Sequence, residues 1–206
     1  MARPRSFEMD VVMERTLDAF WERGFAATTI PELSKATGLL PGSLYAAFAG
    51  KDEMFRLALE RYAQWLSVQF PSDVAGLNGI EAALDTIVRL TVEDPKRRGC
   101  PMLNAISEAD ALSAKTQRLL KNGHQWMRRY FRDRLLEAQQ QAQTTADLEQ
   151  LEALLFAAAV AIRVLGRAGL EPSLLQQIAD GATAAARSNF KTRKRVATHT
   201  QARKRK

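Results

Sequence analysis

Apolar residues recur at helical spacing along almost the whole chain. Val11, Val12, Ala19 and Phe20 mark a helix over about 7–23, closed by Gly24, with Phe25 turned back onto it. Ile30, Leu33 and Ala36 mark a second. Thr28 or Thr29 can cap that helix, and Glu32, three residues after Thr29, completes the spacing of a capping box. Gly38 suits its end, and Pro41 suits the first turn of a third helix, where the missing N–H is not needed. On that helix Leu44 and Phe48 face inward together, which leaves Ser43, Tyr45, Ala46 and Ala47 on other faces. A fourth helix opens at Lys51. Met54, Phe55, Ala58, Leu59 and Tyr62 stripe it to about Ser67, and Phe70-Pro71-Ser72 breaks it.

The remainder also reads as helices. Leu84, Ile87, Val88 and Thr91 share one side of 80–93, and a basic loop follows over 94–99. Met102, Leu103 and Ile106 mark a short helix over 101–110. Ser113 caps a long one over about 114–143, carrying Leu119, Leu120, Trp126, Met127, Tyr130, Phe131, Leu135 and Leu136; the glutamines from Gln139 to Gln143 read as its solvated end. Asp147 caps a helix that is apolar nearly all round, through Leu148, Leu151, Leu154, Leu155, Ala158, Ala159, Ile162 and Leu165. Ser173 opens the last, with Leu174, Leu175, Ile178, Ala182 and Ala185. No window sustains the alternation of a strand, so the expected fold class is all-α. A helix apolar on most sides must be buried on most sides, and a second subunit is the natural cover.

Two short helices joined by a glycine-containing turn make a helix-turn-helix, whose second helix enters a DNA major groove. The residues around it are specific enough to compare. Phe25, Thr29, Ile30, Leu33, Ala36, Gly38, Ser43, Leu44, Tyr45, Phe48, Lys51 and Phe55, within a span of about 7–62, resemble the N-terminal signature of TetR-family one-component transcriptional regulators. The resemblance implies a three-helix helix-turn-helix DNA-binding domain over 1–50 and a helical ligand-binding and dimerisation domain over 51–190. A basic tail over 191–206 has no periodicity and is expected to be disordered.

Charge qualifies this picture. The chain has 206 residues and a formal charge of +7, but its last sixteen residues hold eight Lys or Arg and no acid. Without them 22 basic residues face 23 acidic ones, so the body is not basic. DNA binding therefore rests on the motif and on where single side chains fall. No apolar run reaches the roughly 18 residues of a membrane span, and the first ten residues hold no apolar stretch, so a signal peptide is not expected. One cysteine excludes an internal disulfide and suits a reducing cytoplasm. The expected setting is the bacterial cytosol, at the nucleoid.

The resemblance assigns roles by position. Thr28 and Thr29 lie where a helix N-terminus meets phosphate. Pro41, Gly42 and Ser43 would meet base edges, Ala46 or Ala47 a thymine methyl, Tyr45 a phosphate, and Lys51 would add a cation. Arg3 and Arg5 form an arm for a minor groove or phosphate. The family often has His or Tyr before Phe48, where this chain has two alanines, and often Ser or Thr where Leu40 stands. Fewer polar base contacts and a larger share of shape readout are expected. The last two helices would pair with their copies through Leu151, Leu155, Ala158, Ala159, Ile162, Ile178, Ala182 and Ala185.

For the sensor half the expected partner is a small-molecule effector, with Trp65, Leu90, Met102, Ile106, Trp126 and Tyr130 as walls of its pocket. Arg163, a cation inside an apolar run, is expected to form an ion pair. Cys100 follows Arg97 and Arg98 and precedes a helix start, which favours thiolate; the segment is similar to one in relatives that sense electrophiles and oxidants. That makes a thiol-based sensor the alternative function. No metal and no cofactor are expected, since one Cys and two His cannot supply a tetrahedral Cys/His site from one subunit. An enzyme is not expected either: there is no phosphate-binding glycine loop, no H-E-x-x-H and no nucleophile elbow. A third class is an architectural DNA binder driven by the tail, marked by a steep salt slope without sequence preference.

Overall fold

The computed structural model describes residues 5–145 and 147–188, with side chains described from Met9 on. Arg3 and the tail over 191–206 lie outside the described residues, as does the side chain of Arg5. Within them the chain is helical: α1 Arg5–Arg23, α2 Ile30–Thr37, α3 Pro41–Ala47, α4 Lys51–Gln69, α5 Gly76–Val92, α6 Pro101–Asn104, a 3-10 turn Ala105–Ala111, α7 Ala114–Gln140, α8 Leu148–Arg167 and α9 Pro172–Arg187. No strand occurs among the described residues. The all-α reading is correct.

The head is built as its local signals require. The Thr29 hydroxyl accepts the Glu32 N–H, and the Glu32 carboxylate accepts the Thr29 N–H at 2.7 Å, so both halves of the capping box form. Gly38 takes φ 77°, a left-handed turn that a side chain would strain. Leu33 and Leu44 are completely buried. Three rings close the centre, with Phe55 of α4 at 4.8 Å from Phe20 and 5.1 Å from Phe25. The first half of α4 is thus part of the head, while its second half runs into the other bundle. One apolar cluster runs through α4 from the head into the C-terminal helices.

The second layer is α5, α7, α8 and α9 around Leu84, Leu135, Leu155 and Ile162. Several element ends differ from expectation for physical reasons. Arg5 and Ser6, expected in the basic arm, belong to α1. α5 starts at Gly76 rather than Ile80 because its first N–H groups are met from far away: Gly76 donates to Glu137 and Leu77 to Gln143, each at 3.0 Å. Gln143 is therefore a cap for another helix, not a merely solvated end, and α7 stops three residues before it. The 101–110 helix is a single α-turn that tightens to 3-10 winding. α9 begins at Pro172, with Glu171 at its N-cap.

The dimer residues need a correction. Leu151, Leu155, Ala158, Ala159, Ile162 and Ala182 are buried inside this single chain, and Ile178 and Ala185 are half-buried. α5, α7 and α9 cover that face of α8 from within the same chain. The apolar strip left open lies round the helices, at Leu154, Ala157 and Val164 of α8 and at Leu174, Gly181 and Ala184 of α9. Counting apolar positions on α8 could not divide them between an internal and an external neighbour.

The packing of α8 on α5 generates a test. A Cβ on Gly166 would fall well inside van der Waals contact of Thr91 Cγ2. Thr91 is β-branched and its hydroxyl is bonded to the Ile87 carbonyl at 2.6 Å, so it cannot step aside. Gly166→Ala should lower stability by about 1–3 kcal/mol, despite alanine's better helix propensity. Urea denaturation measures this, and an equally or more stable variant would contradict the packing described.

Candidate nucleic-acid interface and internal pocket

α3 is held to the head by one buried side chain of its own, Leu44. Pro41, Gly42, Ser43, Tyr45, Ala46 and Ala47 are all exposed, and Leu40 and Tyr45 stand out at 75% and 60% exposure. No charged residue lies on the helix. A Cβ built on Gly42 would meet nothing within 4 Å, so the packing of the chain does not require glycine there. This is a surface shaped for close approach, with hydroxyls and methyl groups rather than cations.

Three of the other residues assigned to DNA are placed differently. Thr28 is completely buried and its hydroxyl donates to the Gly24 carbonyl at 2.7 Å, so it braces the turn and has nothing left for phosphate. Thr29 is exposed, but the Glu32 carboxylate already occupies its N–H and hydroxyl. Those bonds from Thr29 hold the Glu32 acid below its ordinary range, so an anion sits where phosphate was expected. Lys51 leans inward: its ammonium lies 4.4 Å from the Phe25 ring and donates to the Ala26 carbonyl at 3.4 Å.

A cavity of about 390 Å³ opens between α4, α6, α7 and α8. Met102, Trp126 and Cys100 line it as expected, with Leu66, Leu103, Leu119, Met127 and Phe156. Trp65, Leu90, Ile106 and Tyr130 do not. Trp65 packs on Tyr62 at 5.6 Å and is 43% exposed; the 3-10 winding turns Ile106 outward; Tyr130 is tied by its hydroxyl to the Pro71 carbonyl at 2.7 Å. The lining carries no carboxylate. Gln64, Ser67, Asn122 and Arg129 are exposed at its rim, and His124 is the half-buried polar side chain further in. Burial pushes its imidazole below the ordinary range, so it is neutral at pH 7, and its Nε2 is buried without a hydrogen-bond partner among the described residues. The sequence offered no signal for His124, a lone histidine on a long amphipathic helix.

The arginines before Cys100 are turned away from it. Arg98 stacks 4.1 Å over Trp21 and bonds Asp94 and Asp18, while Arg97 donates to the Gly169 carbonyl at 3.2 Å. The cation that faces Cys100 is Arg163, from α8. It is buried, and it donates to the Tyr62 hydroxyl at 2.7 Å and to Thr91 Oγ1 at 3.2 Å. Among the described residues it forms no ion pair, so the expected carboxylate partner is replaced by hydroxyls. Burial opposes its charge, yet the Tyr62 oxygen and the Cys100 sulfur facing it raise the guanidinium above its usual range. Burial also pushes the Tyr62 phenol well up, so it stays neutral.

The stretch over 94–116 bonds the head at three places. Lys96 pairs with Glu22 at 3.1 Å and Arg98 with Asp18 at 2.7 Å, both on α1. The Glu108 carboxylate accepts the N–H groups of Phe25 and Ala26 at 3.0 and 2.5 Å. Asp52, at the start of α4, accepts the Ser113 N–H at 2.9 Å and the Ser113 and Thr116 hydroxyls at 2.6 and 2.9 Å. These contacts span long sequence separations, and no periodicity announces them. Among the described residues no cluster of three Asp, Glu, His or Cys could hold a metal, and no helix is long and apolar enough to cross a membrane.

The chain was compared with known proteins. Residues 12–58 match the model of bacterial regulatory proteins of the TetR family, and residues 76–181 match the tetracyclin repressor-like C-terminal domain. The HTH-type transcriptional repressor ComR of Escherichia coli K12 is 26% identical over 184 residues, covering 86% of this chain and 88% of its own. Among solved structures, a cysteine mutant of the TetR-family regulator CifR bound to 26-base-pair operator DNA is 25% identical. Its TM-score is 0.75, over 89% of this chain and 99% of that one. SCO4454 of Streptomyces coelicolor shares the fold, with a TM-score of 0.77 at 18% identity over 88% and 95% of the two chains.

The Asp52 contacts predict a pH effect. Burial would raise this acid, but the donors of Ser113 and Thr116 outweigh it and hold the pKa below the ordinary value. A depressed folded pKa gives stability that is present above the unfolded value, about 4, and lost as pH falls through the folded one. Asp52→Asn should therefore be less stable than wild type at pH 6, and the gap should close below about pH 4. Denaturation curves across that range measure it; parallel profiles would show that Asp52 gains nothing from those donors.

Proposed function

The chain belongs to the TetR family of bacterial regulatory proteins, which bind DNA and regulate transcription, and from that premise we propose a one-component repressor released by a small effector. As a homodimer in the cytoplasm it holds a palindromic operator, because a two-fold protein matches a two-fold site. The effector is a largely apolar molecule with one polar group for His124 Nε2, which suits an apolar cavity that carries no carboxylate and has Arg129 at its exposed rim. The observation that carries this reading is continuity. Met102 and Leu103 line the cavity from the same stretch whose Arg98, Glu108 and Ser113 hold the head. A ligand that favours one placing of α6 therefore favours one placing of the head, which is the differential affinity that release needs. ComR, a repressor by name, and the operator-bound CifR are consistent with it. The dimer forms through the open strip of α8 and α9, where alanine and glycine let helices approach closely.

A second reading is favoured by one observation: Cys100 lines the cavity on one side and faces the buried Arg163 on the other. A neutral soft electrophile, such as an activated alkene, would enter the cavity. The Cys100 sulfur would form a carbon–sulfur bond to it, and the thiol proton would pass through water to the resulting carbanion.

One experiment separates the readings. Fragments bound by the protein are selected from genomic DNA, and neutral apolar compounds, electrophiles included, are screened for release. Ala63→Phe, which fills the cavity, should keep operator affinity within about twofold and lose release; a variant released like wild type would remove the cavity from the mechanism. Cys100→Ser should remain releasable if binding is reversible and become insensitive if the thiol reacts. The dimer has its own test. Ala157→Glu puts a charge on the open strip without disturbing the core, so it should fold, run as a monomer in sizing, and lose at least about tenfold in operator affinity. A folded variant that stays dimeric would move the interface elsewhere.

A further inference from the structure

We propose that Leu40 reads a thymine methyl group in the operator, an inference that rests on the DNA-binding reading above. Leu40 stands just before α3 and is 75% exposed, while its neighbour Leu39 turns inward and is half-buried. It occupies the N-cap position of α3 and makes no side-chain cap bond there. Ser, Thr, Asp or Asn would supply that bond, so leucine forgoes local stability. It also leaves a large apolar side chain in water. Among the described contacts neither disadvantage is offset, whereas a partner for the side chain outside the chain would offset both.

The chemistry of that partner follows from the surroundings. α3 carries no charged side chain, and its exposed face offers Ser43 and Tyr45 hydroxyls and the methyl groups of Ala46 and Ala47. Bidentate readers of guanine or adenine are therefore missing from this helix. On the base edges of a major groove the one apolar feature is the thymine C5 methyl. Gly42, two residues on, leaves open space where a side chain would hold a duplex away. The position is also rigid. The Leu40 carbonyl accepts the Ser43 and Leu44 N–H groups at 2.9 and 3.1 Å, and the Ser34 hydroxyl fixes the Leu39 carbonyl at 2.6 Å. A contact made from a fixed backbone distinguishes thymine from cytosine by presence or absence of a methyl.

The test uses the full-length protein and synthetic duplexes. A site enriched from a random duplex pool is resynthesised with each thymine replaced in turn by deoxyuridine, which removes only the C5 methyl. Wild type should lose roughly three- to tenfold in affinity at one thymine per half-site. Leu40→Ala should lose about as much on the unmodified site and nothing further on the deoxyuridine one. Its melting temperature and dimer state should not change, because the side chain is exposed. Leu40→Val should keep part of the deoxyuridine effect. The inference is overturned if no thymine methyl matters to wild type, if Leu40→Ala keeps the wild-type deoxyuridine loss, or if Leu40→Ala alters the oligomeric state. A pool that yields no enriched site overturns the DNA-binding premise and this inference together.

Discussion

The Glu108 carboxylate accepts two backbone N–H groups of the turn between α1 and α2, and it comes from the other half of the molecule. Those N–H groups follow the end of α1 and have no helical partner of their own. The turn that sets the angle of α2 and α3 is thus completed by the C-terminal half. The ion pairs to Asp18 and Glu22 add little energy where they are exposed. Their effect is geometric: with Glu108 and Asp52 they fix one placing of the head on the bundle. One short stretch thus both walls the cavity and holds the head.

That stretch is in turn held from behind by a polar group in an apolar core. Arg163 is a buried cation whose hydrogen bonds go to Tyr62 and Thr91, so α8 is tied to α4 and α5 at one point. Removing either hydroxyl would leave a buried donor unmet, which costs more than the bond itself contributes. Gly166, one turn on, lets α8 lie directly against Thr91. The cavity side of the same arrangement holds Cys100, so the sulfur lies between a ligand space and a fixed charge.

The surface divides by the same logic. Leu154, Ala157 and Val164 of α8 and Leu174, Gly181 and Ala184 of α9 are left open, apolar positions of the kind a second copy covers. At the head the large side chains left open beside and on α3 are Leu40 and Tyr45.

Sequence alone determined the helices, the capping box at Thr29 and Glu32, the turn at Gly38 and the identity of the reading head. Each of these is a local signal: spacing, a cap residue or a positive φ is written within a few neighbours. What tertiary structure decided was every pairing across distance. It buried Thr28 and turned Lys51 inward, both placed on the DNA surface by position alone. It sent Arg97 and Arg98 away from Cys100 and brought Arg163 to it from 63 residues on. It took Trp65, Ile106 and Tyr130 out of the cavity wall and put His124 and Phe156 in. It moved the open strip of α8 off Leu151, Leu155, Ala158, Ala159 and Ile162, because their face was claimed by α5, α7 and α9. A helical period gives the direction of a side chain about its own axis. Which neighbour stands in that direction depends on how the helices are stacked, and no local pattern in the sequence encodes it.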